Sequence, residues 1–268
     1  LEQSPSLDDE GFVAYFGVPL ITKGKVKGVL EIFHRSELFP TEDWTDFLET
    51  LTSETAVAVD NAQLFRDLEK SNLDLAIAYE TTLEGWARTL ELRDQETEGH
   101  SQRVMDLTLR LSRKLGFTEE AITHIQRGAV LHDIGKIGIP DSILLKKGPL
   151  TDDEWKVMKK HPEFAFNMLS TIPFLKKAAE IPLYHHEKWD GGGYPNGLKG
   201  EDIPIAARIF AIVDVWDALR SDRPYREAWT DEEAMREIKQ GKGTHFDPVI
   251  LQTFIDLIDL DKRNKRKK

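Results

Sequence analysis

The sequence predicts a mainly α-helical protein, in which a short α/β segment is joined by a long helix to an all-α domain. Three observations support this fold class. Residues 11–39 are rich in strand-forming side chains, and residues 41–89 contain no proline and only one glycine. From Leu90 onward the chain shows amphipathic helical periodicity interrupted by proline and glycine, with no strand-rich run.

The α/β segment is expected to contain two strands, Phe12–Ile21 and Val26–Phe33, joined by a turn at Lys23-Gly24-Lys25. Thr41 has the side chain of a helix cap and is followed by two acidic residues, which are favourable in a first helical turn. Because no proline follows before Thr89, we expect either one long helix or two nearly continuous ones.

Five large side chains along this helix are spaced by 3, 7, 4 and 7 residues: Phe65, Leu68, Leu75, Tyr79 and Trp86. This spacing is typical of a coiled-coil seam. Packing of the helix on its own domain is the alternative. We favour a parallel homodimer through this linker helix, since so long a helix has little else to pack against.

The all-α part is expected to contain eight helices, which the periodicity and the helix-breaking residues delimit. They are predicted at Leu90–Leu115, Thr118–Ile134, Asp152–Lys160, Glu163–Ser170, Phe174–Glu187, Ile203–Leu219, Asp231–Gly241 and Pro248–Leu260.

Composition excludes several classes of protein. The 268 residues carry a net charge of −11, although basic residues crowd positions 261–268, which we expect to be a disordered tail. The acidic body argues against a DNA or RNA polymer as partner. No apolar run is long enough for a membrane span, and the sequence shows no signal peptide. Because the first residue is Leu1 rather than methionine, we expect the chain to be a piece of a longer protein. The absence of cysteine excludes a disulfide scaffold and a thiolate zinc site, and fits a cytoplasmic location.

Histidines and carboxylates recur in apolar helical settings. A lone buried histidine is more commonly a satisfied core residue than a ligand, but the joint occurrence of five histidines and three carboxylates favours a metal centre. Without cysteine, such a set suits iron, manganese, nickel, cobalt or zinc, and eight ligands are enough for two or three ions. The eight candidates are Glu96, His100, His132, Asp133, His161, His185, His186 and Asp214.

The first third of the chain resembles the C-terminal half of a GAF sensor domain, through "GVPLITKGKVKGVLEIFHR" and "FPTEDWTDFLETLTSETAVAVDNAQLF". This resemblance implies a truncated sensor with an incomplete ligand pocket.

Residues 90–260 resemble the HD-GYP phosphohydrolases. The motifs, in order, are "ELRDQETEGHSQRV", "LHDIGKIGIPDSILLKKGPLTDDEW", "HHEKWDGGGYPNGLKGEDIPIAARIFAIVDVWDALRSDRPYR" and "GTHFDPVI". The resemblance divides the chain into a partial GAF-like domain (1–64), a linker helix (65–89), an HD-GYP domain (90–260) and the basic tail (261–268).

The resemblance to HD-GYP proteins implies a cyclic di-GMP phosphodiesterase that releases pGpG, GMP or both. It implies that the eight candidates above are the metal ligands, and Glu96 favours three ions over two, with iron or manganese expected. His132, Asp133 and Lys136 are the expected catalytic residues. Substrate contacts are expected from Asp94, Lys136, Tyr194, Arg223 and Arg226.

Two other functions remain open on the sequence. One is an HD-type hydrolase of another nucleotide, such as cyclic GMP-AMP. The other is a non-catalytic receptor for a cyclic dinucleotide. The intact set of ligand positions argues against a pure receptor, which has no need of adjacent metal ions.

Overall fold

A computed structural model describes residues 10–94, 99–222 and 227–265 and divides the chain into two units, Leu1–Ala78 and Tyr79–Lys268. The described part is mainly helical and has a single two-stranded sheet, so the predicted fold class is confirmed. Within these residues, no helix is both long enough and apolar enough to span a bilayer.

The first unit contains an antiparallel hairpin of β1 (Ala14–Thr22) and β2 (Lys25–His34). Lys23 and Gly24 both have positive φ, which is what a tight two-residue turn between twisted strands requires. The strands and the turn therefore agree with the prediction to within two residues.

The helix that follows the hairpin, α1, runs without interruption over Glu42–Asp94. The Thr41 hydroxyl accepts a hydrogen bond from the Trp44 backbone N–H at 3.3 Å, which confirms the predicted cap. Of the two possibilities left open by the sequence, one long helix is correct. The last part of α1 belongs to the second unit, where Leu83 and Ala87 join the apolar core.

The second unit is a helical domain whose core is centred on a nearly all-apolar helix, α8 (Ile205–Leu219). The side chains of Phe210 and Trp216 on this helix are fully buried, and Trp216 packs edge-on against Phe254 at 5.6 Å between ring centroids. The α-helices of this unit after α1 are α2 (His100–Lys114), α3 (Glu119–Val130), α4 (Asp141–Leu144), α5 (Asp152–Met158), α6 (His161–Leu169), α7 (Glu180–Tyr184), α8 (Ile205–Leu219), α9 (Asp231–Gln240) and α10 (Pro248–Lys265).

Two predicted helices are wrong at positions that matter for the site. The helix expected over Leu90–Leu115 does not exist as one element, because Gly99 has φ +73° and a left-handed residue cannot continue a right-handed helix. The helix expected over Thr118–Ile134 ends at Val130, and a short 3₁₀ helix follows at Ile134–Gly138.

The helix expected over Phe174–Glu187 is also wrong, since only Glu180–Tyr184 is α-helical, after a 3₁₀ turn at Pro173–Leu175. Pro182 explains part of the difference, because it has no N–H to donate to the carbonyl four residues earlier. The short helix α4 was not predicted.

The tail expected to be disordered begins as helix, because α10 continues to Lys265. Arg110 on α2 pairs with Asp261, and the Lys262 ammonium lies 3.0 Å from Glu232 on α9. These ion pairs tie the start of the tail to the domain. At the other end of α10, the Asp247 carboxylate accepts from the Val249 N–H at 2.8 Å and caps the helix.

Candidate metal centre

Among the described residues, the candidate ligands lie where helices begin or end, apart from Asp214, which lies within α8. His100 and His161 are the first residues of α2 and α6, and His185 directly follows α7. His132 and Asp133 lie in the turn between α3 and the following 3₁₀ helix, not inside a helix as expected. A side chain at the end of a helix is held by a rigid element but can point beyond it. Candidate ligands from distant parts of the chain can therefore converge.

Seven of the eight predicted ligands converge in two groups, within each of which the ligand atoms lie within 4.8 Å of one another. The eighth, Glu96, lies outside the described residues. One group is Asp133, His161, His185 and His186; the other is His100, His132 and Asp214.

Asp133 connects the two groups. One of its oxygens, Oδ1, lies 3.3 Å from His161 Nε2 and 3.8 Å from His185 Nε2. Its other oxygen, Oδ2, lies 3.1 Å from His132 Nε2. A carboxylate with one oxygen toward each group can bridge two adjacent ions.

Backbone carbonyls fix the orientation of three of the histidine rings. Nδ1 of His132 lies 3.0 Å from the Ala129 carbonyl, and Nδ1 of His161 lies 2.9 Å from the Met158 carbonyl. Nδ1 of His185 bonds in the same way to backbone carbonyls of α7. Because a carbonyl oxygen can only accept, Nδ1 carries the proton, and Nε2 presents its lone pair to the centre of the site.

The donor atoms at the centre fit a metal ion. Of the buried side-chain atoms that lack a hydrogen-bond partner in the described chain, four lie at the centre of this site: Nε2 of His132, His161 and His185, and Oδ1 of Asp133. Buried polar atoms are nearly always hydrogen-bonded, so four such atoms converging on one place require an explanation. Imidazole nitrogens and carboxylate oxygens are ligands of divalent transition metals, and coordination would satisfy all four.

Both central carboxylates are held in their ionised form. Burial opposes ionisation of Asp133, but the Lys136 ammonium and the neighbouring histidines outweigh it and hold the pKa well below its usual range. Burial likewise opposes ionisation of Asp214, yet the adjacent imidazoles of His100 and His132 lower the pKa. At neutral pH the site therefore presents negative charge to a cation.

Most of the central histidines are neutral at pH 7. Burial lowers the pKa of His185 to about 3, and burial also lowers the pKa of His161 and of His186. His132 differs, because the adjacent Asp133 and a second carboxylate outweigh burial and raise its pKa. Neutral imidazole is the form that binds metal.

The Lys136 side chain lies beside the centre of the site. Its ammonium is 2.7 Å from Asp133 Oδ2 and 3.1 Å from Asp94 Oδ2. Lys136 lies in the 3₁₀ helix that follows the turn with His132 and Asp133, and this turn brings its ammonium beside the centre. The Asp94 side chain is buried and paired with Lys136, so contact with a guanine edge would require it to leave that ammonium.

Tyr194 lies over the histidine pair, with its ring stacked on His186 at 4.6 Å between centroids. The Lys159 ammonium lies 5.3 Å from the centroid of the Tyr194 ring. Burial raises the pKa of Tyr194, so its hydroxyl is protonated at neutral pH. The other two predicted substrate residues, Arg223 and Arg226, lie outside the described residues.

Sequence reasoning missed the role of Glu187. Its carboxylate is 2% exposed and accepts hydrogen bonds from the backbone N–H groups of Asn196 (2.7 Å), Gly197 (3.1 Å) and Leu198 (3.1 Å). The backbone of Gly193 passes so close that an added Cβ would lie 2.4 Å from the Glu187 Cα. Glu187 thus holds the loop that carries Tyr194 against the histidine pair. In the sequence, only the position of Glu187 directly after two histidines could have pointed to this role.

The sequence pattern of the HD domain family matches residues 85–250. This match covers more than half of the chain, and the chain belongs to that family. The resemblance of residues 90–260 to HD proteins is therefore confirmed, whereas the GAF assignment stays a prediction.

Three curated relatives share this part of the chain. A cyclic di-GMP phosphodiesterase of Thermotoga maritima is 46% identical over 181 residues, which are 65% of this chain and 49% of that protein. The 3'3'-cGAMP-specific phosphodiesterase 2 of Vibrio cholerae is 40% identical over 211 residues (78% and 39%). The cyclic di-GMP phosphodiesterase response regulator RpfG of Xanthomonas campestris is 47% identical over 169 residues (62% and 45%). The chain spans less than half the length of each of them.

Proposed function

We propose that this chain is a metal-dependent phosphodiesterase that hydrolyses cyclic di-GMP to pGpG, GMP or both. The observation that carries the proposal is the pair of ligand groups connected by Asp133, with four buried, otherwise unpartnered atoms that metal coordination would satisfy. The names of the Thermotoga maritima and Xanthomonas campestris relatives support this substrate.

The proposed cofactor is two or three divalent ions, most simply iron or manganese. The two described groups would hold two ions that share Asp133, and a third would depend on Glu96. Three ions remain our preference because of that glutamate. Histidine and carboxylate donors without thiolate are compatible with both metals.

The reaction must overcome a poor leaving group and the negative charge of a phosphodiester. Divalent ions in this site would supply a nucleophile by lowering the pKa of a water and would offset the charge of the phosphoryl oxygens. His132 and Asp133 would hold the ions at the junction of the two groups. Lys136 presents its ammonium beside Asp133, where it can bind a phosphate oxygen.

The remaining substrate contacts are proposed at the rim of the site. Tyr194, fixed against His186, offers a ring for stacking on a base. Arg223 and Arg226 are proposed to bind the second phosphate or a guanine, and Asp94 to accept from a guanine edge when it is not paired with Lys136.

Regulation is proposed to come from the N-terminal part, a partial GAF-like sensor domain (1–64), through the linker helix (65–89) and a parallel homodimer. The side chains of Phe65, Leu68 and Leu75 on α1 are all at least half exposed, as a dimer seam requires in the single chain. We place the protein in the cytoplasm, where cyclic dinucleotide signals and reducing conditions fit a chain without cysteine.

A second substrate is favoured by one observation. The Vibrio cholerae relative that covers 78% of this chain is named as specific for 3'3'-cGAMP. Cyclic GMP-AMP presents the same two phosphodiesters and differs in one base, so the metal centre described here would act on either nucleotide.

The test is anaerobic incubation of the purified chain with cyclic di-GMP or 3'3'-cGAMP and Fe²⁺ or Mn²⁺, with products separated by chromatography. We expect pGpG or GMP from cyclic di-GMP, and a loss of more than about 100-fold in rate for Asp133→Asn or after chelation of the metal. The exposed Asp153→Asn serves as control for the charge change. Faster turnover of 3'3'-cGAMP would select the second substrate, and metal-dependent binding without product would indicate a receptor.

A further inference from the structure

The four histidines with an oriented ring differ in what supports them. His132, His161 and His185 donate from Nδ1 to neutral backbone carbonyls, whereas His100 donates from Nδ1 to a carboxylate oxygen of Asp217 at 2.8 Å. A carboxylate behind a histidine fixes the ring and makes its other nitrogen a stronger electron donor. His100 is therefore chemically distinct from the other three.

The Asp217 carboxylate is itself held rigidly. It is buried, and the Arg103 guanidinium grips both of its oxygens, with Nε 2.8 Å from Oδ1 and Nη2 2.9 Å from Oδ2. The Ser221 hydroxyl lies 3.4 Å from Oδ2. A bidentate guanidinium fixes the plane of a carboxylate, so Asp217 can impose a defined direction on the His100 ring.

Both ring nitrogens of His100 lie beside carboxylates of the same helix, α8. Asp214 and Asp217 lie three residues apart on α8 and therefore on one side of it. His100 Nε2 is 3.4 Å from Asp214 Oδ1, while Nδ1 bonds to Asp217. Asp217 thus sets both the tautomer and the aim of His100 toward the group that contains His132 and Asp214.

We propose that Asp217, backed by Arg103, is a positioning residue that raises the metal affinity of the His100–His132–Asp214 group selectively. In the Asp133–His161–His185–His186 group, by contrast, the Nδ1 atoms of His161 and His185 donate to neutral backbone carbonyls. This inference rests on the metal centre of the proposed function and is independent of which nucleotide is cleaved.

The test measures Mn²⁺ binding to the purified chain without nucleotide, by calorimetric titration and by metal analysis after gel filtration. Asp217→Asn keeps an oxygen acceptor for His100 but removes the charge. We expect it to weaken the binding of one ion by about 10- to 100-fold and to leave the affinity for every other bound ion within about threefold of wild type. Asp214→Asn and His186→Gln mark the two groups by removing one ligand from each, and Asp217→Asn should affect the same ion as Asp214→Asn.

Two further variants separate positioning from general damage. Ser221→Ala removes a neutral neighbour of Asp217 and should leave both ions bound within about threefold. Arg103→Gln should weaken the binding of the same ion as Asp217→Asn does. Circular dichroism checks that each variant is folded.

Three results would overturn the inference: unchanged affinities in Asp217→Asn, equal weakening of both ions, or a wild-type chain that binds no Mn²⁺. Only the last would also contradict the proposed function. Metal binding as expected with no hydrolysis of either nucleotide would contradict the proposed function and leave the role of Asp217 intact.

Discussion

Asp133 and Lys136 show how a buried charge is kept in a protein interior. Asp133 is buried among histidines, and without cationic partners its ionised form would be strongly destabilised. The Lys136 ammonium, 2.7 Å away, provides one such partner, and it serves Asp94 at the same time. In the metal-free chain, this one ammonium balances two enclosed carboxylates.

We predict that Lys136→Met lowers the free energy of unfolding of the metal-free chain by about 3 kcal/mol, because both carboxylates lose this partner in a buried setting. With Mn²⁺ present the loss should be clearly smaller, since bound cations would take over the charge of Asp133. Urea unfolding in chelator and in Mn²⁺ measures the two values. Lys147 is exposed and provides the control: Lys147→Met should change the free energy of unfolding by less than about 0.5 kcal/mol in both conditions. An equal loss in both conditions would contradict this explanation.

At the scale of single residues, the sequence identified most of the side chains that converge in the two groups. Five of eight histidines stood out by their neighbours, and those five converge in the structure, whereas His34, His124 and His245 lie outside the two groups. Asp217 and Glu187 could not be found in this way. Asp217 acts on a residue 117 positions away, and Glu187 binds backbone N–H groups, which carry no sequence signal.

At the level of elements, the site depends on how closely the 3₁₀ helix after Asp133 approaches α6. Gly135 is the point of approach: an added Cβ would lie 1.9 Å from the His161 carbonyl oxygen and 2.6 Å from the Ala165 N. Only glycine allows the two backbones to come so near. This contact places Asp133 and His161, from two different elements, in the same ligand group.

Gly135→Ala should therefore destabilise the chain by about 3 kcal/mol or more, because the backbone of α6 must move to accept the methyl group. Gly85→Ala is the matched control, since its Cβ meets nothing within 4 Å and it lies inside α1. That variant should stabilise the chain by about 0.5–1 kcal/mol through helix propensity. Thermal unfolding of both variants is the measurement, and a mild effect of Gly135→Ala would show that the two elements separate easily.

Helical periodicity located the helices but not the breaks that form the site. The predicted helices ran through Gly99, where no proline interrupts the chain, and through His132-Asp133, where apolar residues still recur at helical spacing. In the structure a left-handed glycine and the close contact at Gly135 decide these positions instead. Such tertiary causes override local preference, so helix ends are harder to predict than helices.

For the whole molecule, the question is what covers the exposed apolar side chains of α1. Of the five residues of the predicted seam, Tyr79 stacks on Phe174 of its own chain at 5.4 Å between centroids, so it is partly engaged already. Leu68 and Leu75 are 59% and 50% exposed. Apolar residues at coiled-coil spacing on an exposed helix are typical of a surface that pairs with a second copy.

We predict that the chain is a dimer in solution and that the double substitution Leu68→Lys and Leu75→Lys makes it a monomer, because charges at both positions would face each other across the seam. Light scattering coupled to gel filtration gives the mass directly. The control is Asp67→Asn with Asp74→Asn, which adds the same two units of charge at exposed positions beside the seam and should leave the dimer intact. A monomeric wild-type chain, or a double lysine variant that stays dimeric, would contradict the seam. Dissociation of both the double lysine variant and the double asparagine control would mean that net charge, and not the apolar contact, governs assembly.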